Sequence, residues 1–380
     1  MVPFEFQPRT RVVYGRGAIA RIGLIARDLG FSRTLLVADR GIVDAGHVAP
    51  AVRLLHAARV ETTTFHDFGP DPDSDMIDAG VGFAGPLGID SVIGLGGGST
   101  LDCAKGINFL LTNGGHIQDY RGYAKVSVPL LPMIGVPTTA GTGSEAQSYA
   151  VISDARTHMK MACGDPSAAM RVAILDPDLT MTAPRPVTAM AGFDAIAHAV
   201  ETAVTIRRNP MSDTFSHQAW RLLNDAFQQV LLHPGDLEAR SAMQIGAHLA
   251  GMAIEQSMLG AAHACANPLT ARFRIAHGLA LAILLPHVVR WNAPVALDRY
   301  GAMMGSPRRR TRDEASADTL ARRLEDLAGA GNLATTLSAS GVTADALPAL
   351  AADAAQQWTG SFNPRPLDAA GALEIYEAAL

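Results

Sequence analysis

The sequence has few cysteines and few charged side chains. Three cysteines occur in 380 residues, Cys103, Cys163 and Cys265, and they include no Cys-x-x-Cys pair, which excludes a disulfide scaffold and favours a reducing compartment. Charged residues make up 18% of the chain and the net charge is −5 at pH 7, so a broadly basic, nucleic-acid-binding surface is not expected. The N-terminal segment lacks a signal-peptide pattern, and no transmembrane span is expected. We therefore expect a cytoplasmic protein that contacts neither nucleic acid nor a membrane.

What the chain does contain is enough apolar sequence for two or three domains, with 48% hydrophobic residues. The first half alternates short apolar runs with helix-like stretches. Runs at 34–39, 91–96 and 133–138 end in turn or cap residues, which is typical of buried parallel strands in βαβ units. This half predicts an α/β dinucleotide-binding domain over residues 1–185.

The second half is rich in alanine and leucine with helical periodicity. It predicts an all-helical metal-binding and catalytic domain over residues 186–380. A basic run at 307–312 is followed at once by two acidic residues, so we expect a solvated loop there. The predicted helices cover residues 187–205, 211–232, 236–263, 278–285 and 315–330.

A group of histidines and one aspartate is the most informative feature. Asp194 and His198 stand four residues apart in an apolar segment, so both lie on one face of a buried helix. A core hydrogen bond between them would explain the pair alone. His263 and His277 follow in a second segment, and this favours a bound cation that offsets the buried carboxylate. Three imidazoles and one carboxylate suit Fe²⁺ or Zn²⁺ better than Mg²⁺ or Ca²⁺.

Two loops in the first half are suited to phosphate groups. The run GLGGGST at 94–100 follows a predicted strand and begins a helix, so its glycines let backbone amides approach a pyrophosphate. A tight turn between strand and helix is the alternative. The run PTTAGTGSE at 137–145 offers four hydroxyls after another strand, and a hydroxyl-rich capping loop is its alternative.

Asp39 ends a predicted strand and can accept hydrogen bonds from a ribose diol while repelling a 2′-phosphate. It can equally cap a helix or a turn. The acid precedes the glycines here, so the simple Rossmann fingerprint does not apply.

Five segments together make the chain resemble the iron-containing (group III) alcohol dehydrogenases, and they span almost its full length. The resemblance implies a dehydroquinate synthase-like architecture, NAD and Fe²⁺ or Zn²⁺ as cofactors, and a homodimer or larger homo-oligomer, for which RTRVVYG is a candidate strand. It also implies hydride transfer between a small alcohol or aldehyde and NAD(H). The segments are GLGGGSTLDCAKGIN, IGVPTTAGTGSEAQ, AILDPDLTMTAPRPVTAMAGFDAIAHAVE, GAAHACANPLTARFRIAHGLALAILLPHVVRWN and NPRPLDAAGALEIY.

The resemblance also implies roles for individual residues. The metal ligands would be Asp194, His198, His263 and His277. A family Asn-Pro is Asp71-Pro72 here, which makes Asp71 a weaker match. The implied cofactor contacts are Asp39, Asp71, Gly97, Gly98, Ser99, Asp102, Thr138, Thr139, Thr142, Ser144, Lys160 and Leu179.

One departure from the family pattern concerns the proton route. The family usually has a second histidine four residues after the first, and this chain has Asn267. Asparagine can position a group but does not titrate near neutral pH. Asn267 is thus a candidate for the proton route only as a positioning group. Pro268 follows it, so we expect Asn267 at a helix end.

Three alternatives stay open at this stage. A glycerol-dehydrogenase-like zinc polyol dehydrogenase is the nearest. A dehydroquinate-synthase-like lyase would want clustered lysine and arginine for its substrate, and the segments 188–203 and 257–271 contain none. A non-catalytic nucleotide- or metal-binding protein is the third.

Overall fold

The three predicted strands of the first half lie side by side in one parallel sheet of the computed structural model, which describes residues 3–305 and 315–380. Contacts divide the described residues into two units. One is Gln7–Ala183, and the other holds the described residues of 184–380 together with residues 3–6. The basic run at 307–312 lies outside the described residues.

The first unit contains a six-stranded parallel sheet and a three-stranded sheet. The strands are β1 Arg11–Tyr14, β2 Arg33–Val37, β3 Glu61–Phe65, β4 Ser91–Gly96, β5 Gly122–Tyr123, β6 Met133–Pro137, β7 Tyr149–Ser153, β8 Lys160–Gly164 and β9 Val172–Leu175. The order is β1-β9-β6-β4-β2-β3 in the larger sheet and β5-β8-β7 in the smaller one. Five helices belong to its described residues: α1 Ile22–Asp28, α2 Arg40–Asp44, α3 Val48–Ala57, α4 Ser74–Ala84 and α5 Gly98–Asn113.

Burial on both faces explains why the central strands are continuous apolar runs in the sequence. Every residue of β4 and β6 is buried, because helices cover both faces of a parallel sheet. Successive residues of a strand pack into the hydrophobic clusters on opposite faces of the sheet. Leu35 and Val37 pack on one face of β2, and Leu36 packs on the other.

The sheet order places a topological switch between β2 and β4. The chain leaves β2 for β3 on one side and returns to β4 on the other side of β2. Ligands of open α/β sheets bind outside the carboxyl ends of the strands at such a point. Asp39 follows β2 and the glycine run follows β4, so both stand at this edge.

The described part of the second unit is helical and has no strand. An α/β N-terminal fold followed by a helical C-terminal fold is therefore confirmed. The helices are α6 Arg185–Thr202, α7 Pro210–Leu232, α8 Leu237–Ser257, α9 Ala261–Phe273, α10 His277–Met303, α11 Ala315–Ala330, α12 Leu347–Ala354 and α13 Ala369–Ala379.

Two of the predicted helices were wrong. The single helix over 236–263 is instead α8 and α9, separated at Met258, whose φ is 66°, and Gly260. The short helix over 278–285 is part of the longer α10, which runs through Pro286 and Pro294. Prolines inside an apolar helix are tolerated here although each removes one backbone hydrogen bond.

The expectation that Asn267 ends its helix was also wrong. Asn267 lies in the middle of α9, and Pro268 is inside the helix. The buried Tyr376 hydroxyl donates to the Cys265 carbonyl oxygen at 2.7 Å in the preceding turn, a contact that supplies a donor close to the bond that Pro268 removes.

Among the described helices, α10 is long and apolar enough to cross a membrane by length and composition, with a mean hydropathy of 1.3. That hydropathy belongs to an 18-residue stretch of α10, and 67% of this stretch is buried inside the protein. That degree of burial is typical of a core helix.

Candidate functional site

Helix α6 carries the first two metal-ligand candidates. Asp194 and His198 are 5% and 4% exposed, and His198 Nε2 lies 3.1 Å from Asp194 Oδ1. The i, i+4 spacing puts both side chains on one face. The apolar sequence around them buries that face, so the carboxylate is held away from water.

Close packing of α10 on α6 brings in another imidazole. A Cβ atom at Gly278 would lie 2.2 Å from the Met190 carbonyl oxygen, so only glycine allows this approach. His277, the first residue of α10, then places Nε2 3.9 Å from Asp194 Oδ1. His263 on α9 places its Nε2 3.5 Å from the same oxygen. The three Nε2 atoms thus converge on one carboxylate oxygen.

These separations fit a single bound cation. Two ligands held about 2.1 Å from one ion stand roughly 3.4 Å apart in a tetrahedral site. Ligand atoms of Asp194, His263 and His277 all lie within 4.8 Å of one another, while His198 is placed beside them by its 3.1 Å approach to Asp194 Oδ1. Asp194 Oδ1 and His263 Nε2 are buried and make no hydrogen bond to any described residue. Buried polar atoms normally have partners, so the donor set fits a metal ion.

The charges at the centre also favour a cation. Burial alone would raise the pKa of the Asp194 carboxyl, but His198, His263 and His277 hold that pKa well below its usual range. For His263, burial lowers the pKa, while Glu201 and Asp194 outweigh it and raise the pKa to about 9. Two buried carboxylates therefore stabilise a positive charge at this position, whether a proton or a metal ion.

Glu201 is the residue that the sequence reasoning missed. It lies on α6, is 3% exposed, and its Oε2 is hydrogen-bonded to His263 Nδ1. The signal was present in the sequence, because residues 194, 198 and 201 follow the i, i+4, i+7 spacing of one helix face.

The two phosphate-loop candidates lie against each other in the first unit. Gly96 of β4 pairs with Pro137 of β6, and a Cβ atom at Gly98 would lie 2.2 Å from Thr142 Cγ2. Glycine therefore lets α5 begin against the hydroxyl-rich loop. Thr138 Oγ1 is buried without a hydrogen-bond partner in the described chain, which is unusual for a buried hydroxyl.

A buried network fixes the hydroxyl-rich loop. Lys105 on α5 is fully buried, and its Nζ donates to Ser144 O at 2.7 Å, Gln147 O at 2.8 Å and Tyr149 O at 2.7 Å. Ser144 Oγ donates to Asp102 Oδ1 at 2.6 Å. Burial raises the pKa of Asp102, and Lys105 opposes that shift. Asp102 and Ser144 therefore hold each other and the loop.

Asp39 does cap a helix. Its Oδ1 accepts from Ile42 N at 3.1 Å at the start of α2, and its Oδ2 accepts from Thr100 Oγ1 at 2.8 Å. A carboxylate has about four acceptor positions, so these two bonds leave room for a ribose hydroxyl.

Asp71, Ser99 and Lys160 are brought together. Lys160 Nζ lies 3.1 Å from Asp71 Oδ1, and Asp71 N donates to Ser99 Oγ at 3.2 Å. Asp71 has φ 51°, a left-handed conformation that asparagine and aspartate adopt more readily than most residues. Leu179, in a turn after β9, is buried in the apolar core of the same unit.

The candidate ligands of the two cofactors belong to different units. All four metal candidates lie in 184–380 and all cofactor-contact candidates lie in 7–183. Asn267 stands one turn after His263 on α9, and its Nδ2 donates to Gln357 Oε1 at 3.1 Å.

Comparison with known proteins gives matches over both units. The family model described as iron-containing alcohol dehydrogenase matches residues 8–177, and the C-terminal model of the Fe-containing alcohol dehydrogenase family matches residues 188–380. The NAD-dependent methanol dehydrogenase of Bacillus methanolicus is 33% identical over 288 residues, which cover 76% of each chain.

Solved structures agree with these sequence matches. A 1,3-propanediol oxidoreductase superposes with a TM-score of 0.95 at 30% identity, and the match covers 100% of both chains. The sulfoacetaldehyde reductase of Bifidobacterium kashiwanohense, solved in complex with NAD⁺, gives a TM-score of 0.88 at 26% identity, covering 100% of this chain and 99% of the other.

Proposed function

Because the chain belongs to the iron-containing alcohol dehydrogenase family, we propose that it is a metal-dependent dehydrogenase that transfers hydride between a small alcohol, or its aldehyde, and NAD(H). The observation that carries this proposal is the convergence of three imidazoles on one buried carboxylate oxygen. The similar methanol dehydrogenase is NAD-dependent by name.

We assign the metal to Asp194, His198, His263 and His277. When bound, the cation supplies Lewis acidity that makes an alcohol hydroxyl easier to deprotonate, and the nicotinamide supplies the hydride acceptor. Fe²⁺ and Zn²⁺ both accept this ligand set, and the family favours iron. Asp194, His198 and His263 are buried, which strengthens electrostatic interactions at these ligands, while His277 is partly exposed.

We assign the dinucleotide to the loops at the carboxyl ends of β2, β4 and β6. The backbone of Gly97, Gly98 and Ser99 at the start of α5 would hold the pyrophosphate, with the helix N-terminus favouring its charge. The Thr138 hydroxyl, buried without a partner in the parts of the chain that are described, supports the same assignment. The other contacts in this proposal come from Asp39, Asp71, Asp102, Thr139, Thr142, Ser144, Lys160 and Leu179.

The test of the function is a panel of short alcohols and aldehydes with anaerobically purified protein whose iron and zinc contents have been measured. We expect at least one primary alcohol to reduce NAD⁺ stoichiometrically, with loss of activity on chelation and recovery on adding the metal back. Metal-loaded protein that binds NAD⁺ but turns over none of these compounds would contradict the proposed activity. NADH that fails to accumulate with product would indicate a lyase.

We retain Asn267 as a positioning group on the proton route. An Asn267→His variant is expected to add a limb to the pH profile of alcohol oxidation. Below about pH 6.5 the new imidazole is protonated and cannot accept a proton, so the rate should fall as the pH falls. The profile of kcat/KM against pH checks this, with metal content measured in parallel because the introduced imidazole would share a helix face with His263. Overlapping profiles at equal metal content would leave Asn267 a packing role with Gln357.

We also propose a cytoplasmic homodimer or larger homo-oligomer. Strand β1 supports this, because it is an edge strand of the six-stranded sheet and exposes Val12 and Tyr14. An exposed edge offers unpaired backbone groups to a second copy. The three cysteines are free and buried, which is compatible with a reducing compartment.

A further inference from the structure

Glu201 makes two contacts at the start of α9. Its Oε1 accepts from Ala262 N at 2.7 Å, and its Oε2 is hydrogen-bonded to His263 Nδ1. The side chain is almost fully buried. One carboxylate thus contacts both the backbone that begins the helix and the imidazole one residue later.

The surrounding residues are arranged around this contact. Asn363 Oδ1 accepts from Ala261 N at 3.1 Å, and Asn363 is held in turn by Asn292 at 2.8 Å. A Cβ atom at Gly260 would lie 2.8 Å from Asn363 Oδ1 and 3.1 Å from Glu201 Oε1. Gly260 therefore leaves the space through which Glu201 and Asn363 reach the first amides of α9. A negative side chain at a helix N-terminus also interacts favourably with the helix dipole.

We propose that Glu201 is a positioning residue for the metal: it fixes His263 with its proton on Nδ1 and its Nε2 directed at Asp194. This inference rests on the proposed metal site. A carboxylate on Nδ1 selects the tautomer whose Nε2 lone pair is free, and it increases the basicity of that nitrogen. His198 offers a contrast, since its Nδ1 is buried and has no hydrogen-bond partner within the described residues. Of these two imidazoles, Glu201 therefore contacts His263 and not His198.

The test is the dissociation constant of Zn²⁺, measured on the full chain by competition with a chromophoric chelator. In Glu201→Gln the amide oxygen can still accept from Ala262 N, but the amide NH₂ then faces Nδ1 and favours the wrong tautomer. We expect the dissociation constant to rise about 10- to 100-fold, which is the usual effect of removing the hydrogen-bond partner of a metal-ligating histidine. Glu238→Gln is the matched control, because Glu238 is an exposed acid in the first turn of α8; it should bind Zn²⁺ like the parent.

Parental Zn²⁺ affinity in folded Glu201→Gln would overturn the positioning role. If that variant does not fold, Glu201→Asp decides in the same assay, since it keeps the charge but is too short to reach both Ala262 N and His263. Weaker binding supports the role and parental binding overturns it. Asp194→Ala separates the two proposals. If Asp194→Ala and the Glu201 variant both bind Zn²⁺ like the parent, the proposed metal site is wrong. If Asp194→Ala loses Zn²⁺ while the Glu201 variant keeps parental affinity, the metal site stands and only the role of Glu201 is wrong.

Discussion

Asp194→Ala is expected to lose both tight metal binding and turnover. Asp194 supplies the carboxylate oxygen on which the three Nε2 atoms converge, at 3.1, 3.5 and 3.9 Å. Its loss leaves three imidazoles that would repel one another if protonated and hold a cation only weakly. Removing the hydrogen-bond partner of a metal ligand lowers metal affinity or activity roughly 10- to 100-fold. Removing the ligand Asp194 itself should lower the activity by more than that. Metal analysis after dialysis and the rate of NAD⁺ reduction measure both effects.

Dinucleotide binding gives this experiment its internal reference. The candidate dinucleotide loops belong to Gln7–Ala183, and Asp194 does not, so the NAD⁺ dissociation constant of the variant should equal that of the parent. Asp225→Ala is the matched control, because Asp225 is an exposed acid on α7. It should retain metal and activity. Full turnover in metal-free Asp194→Ala protein would refute the metal-dependent mechanism.

The central strands could be predicted because burial on both faces leaves a continuous apolar run. Strands β2, β4 and β6 carry this signature and were found within two residues of their observed ends. The edge strand β3 reads Glu61-Thr-Thr-Thr-Phe65 and β1 buries only Val13. Such strands take their structure from a neighbour that the sequence does not reveal.

The pairing of Asp194 with His198 could be read from helical spacing, but the arrangement around His263 could not. The break between α8 and α9 depends on Glu201 and Asn363, which reach the first amides of α9 from 61 and 102 residues away in sequence. No local pattern at 257–263 reports that contact. Asn267 likewise lies inside α9 although Pro268 follows it, and the Tyr376 hydroxyl that contacts the preceding turn comes from the last helix.

The two roles predicted for Asp39, capping a helix and binding the ribose, are compatible. The capping alternative holds, because Asp39 Oδ1 accepts from Ile42 N. The ribose role is a proposal that uses the remaining acceptor positions. A substitution that separates them must keep the cap and remove only the charge, and Asp39→Gly would remove both.

Asp39→Asn is expected to weaken the preference for NAD(H) over NADP(H). The kcat/KM value with NAD(H), divided by that with NADP(H), should fall about 10- to 100-fold. Asparagine is as good an N-cap as aspartate, so its oxygen can still accept from Ile42 N, and its NH₂ can donate to Thr100 Oγ1. The variant loses the negative charge that repels a 2′-phosphate. Two like charges about 4 Å apart near a protein surface cost up to ~4 kcal/mol, which is ample for this change.

The matched control is Asp44→Asn, the same change at an exposed position on the same short helix. It should leave the cofactor ratio unchanged, and both variants should unfold at the parental temperature because neither removes a cap. The effect of Asp39→Asn should also shrink at high salt, since ions screen the repulsion that the parent exerts on NADP(H). A ratio that stays parental in folded Asp39→Asn would show that Asp39 caps α2 and does not face the ribose, and the discrimination would then lie with another group near the carboxyl end of β2.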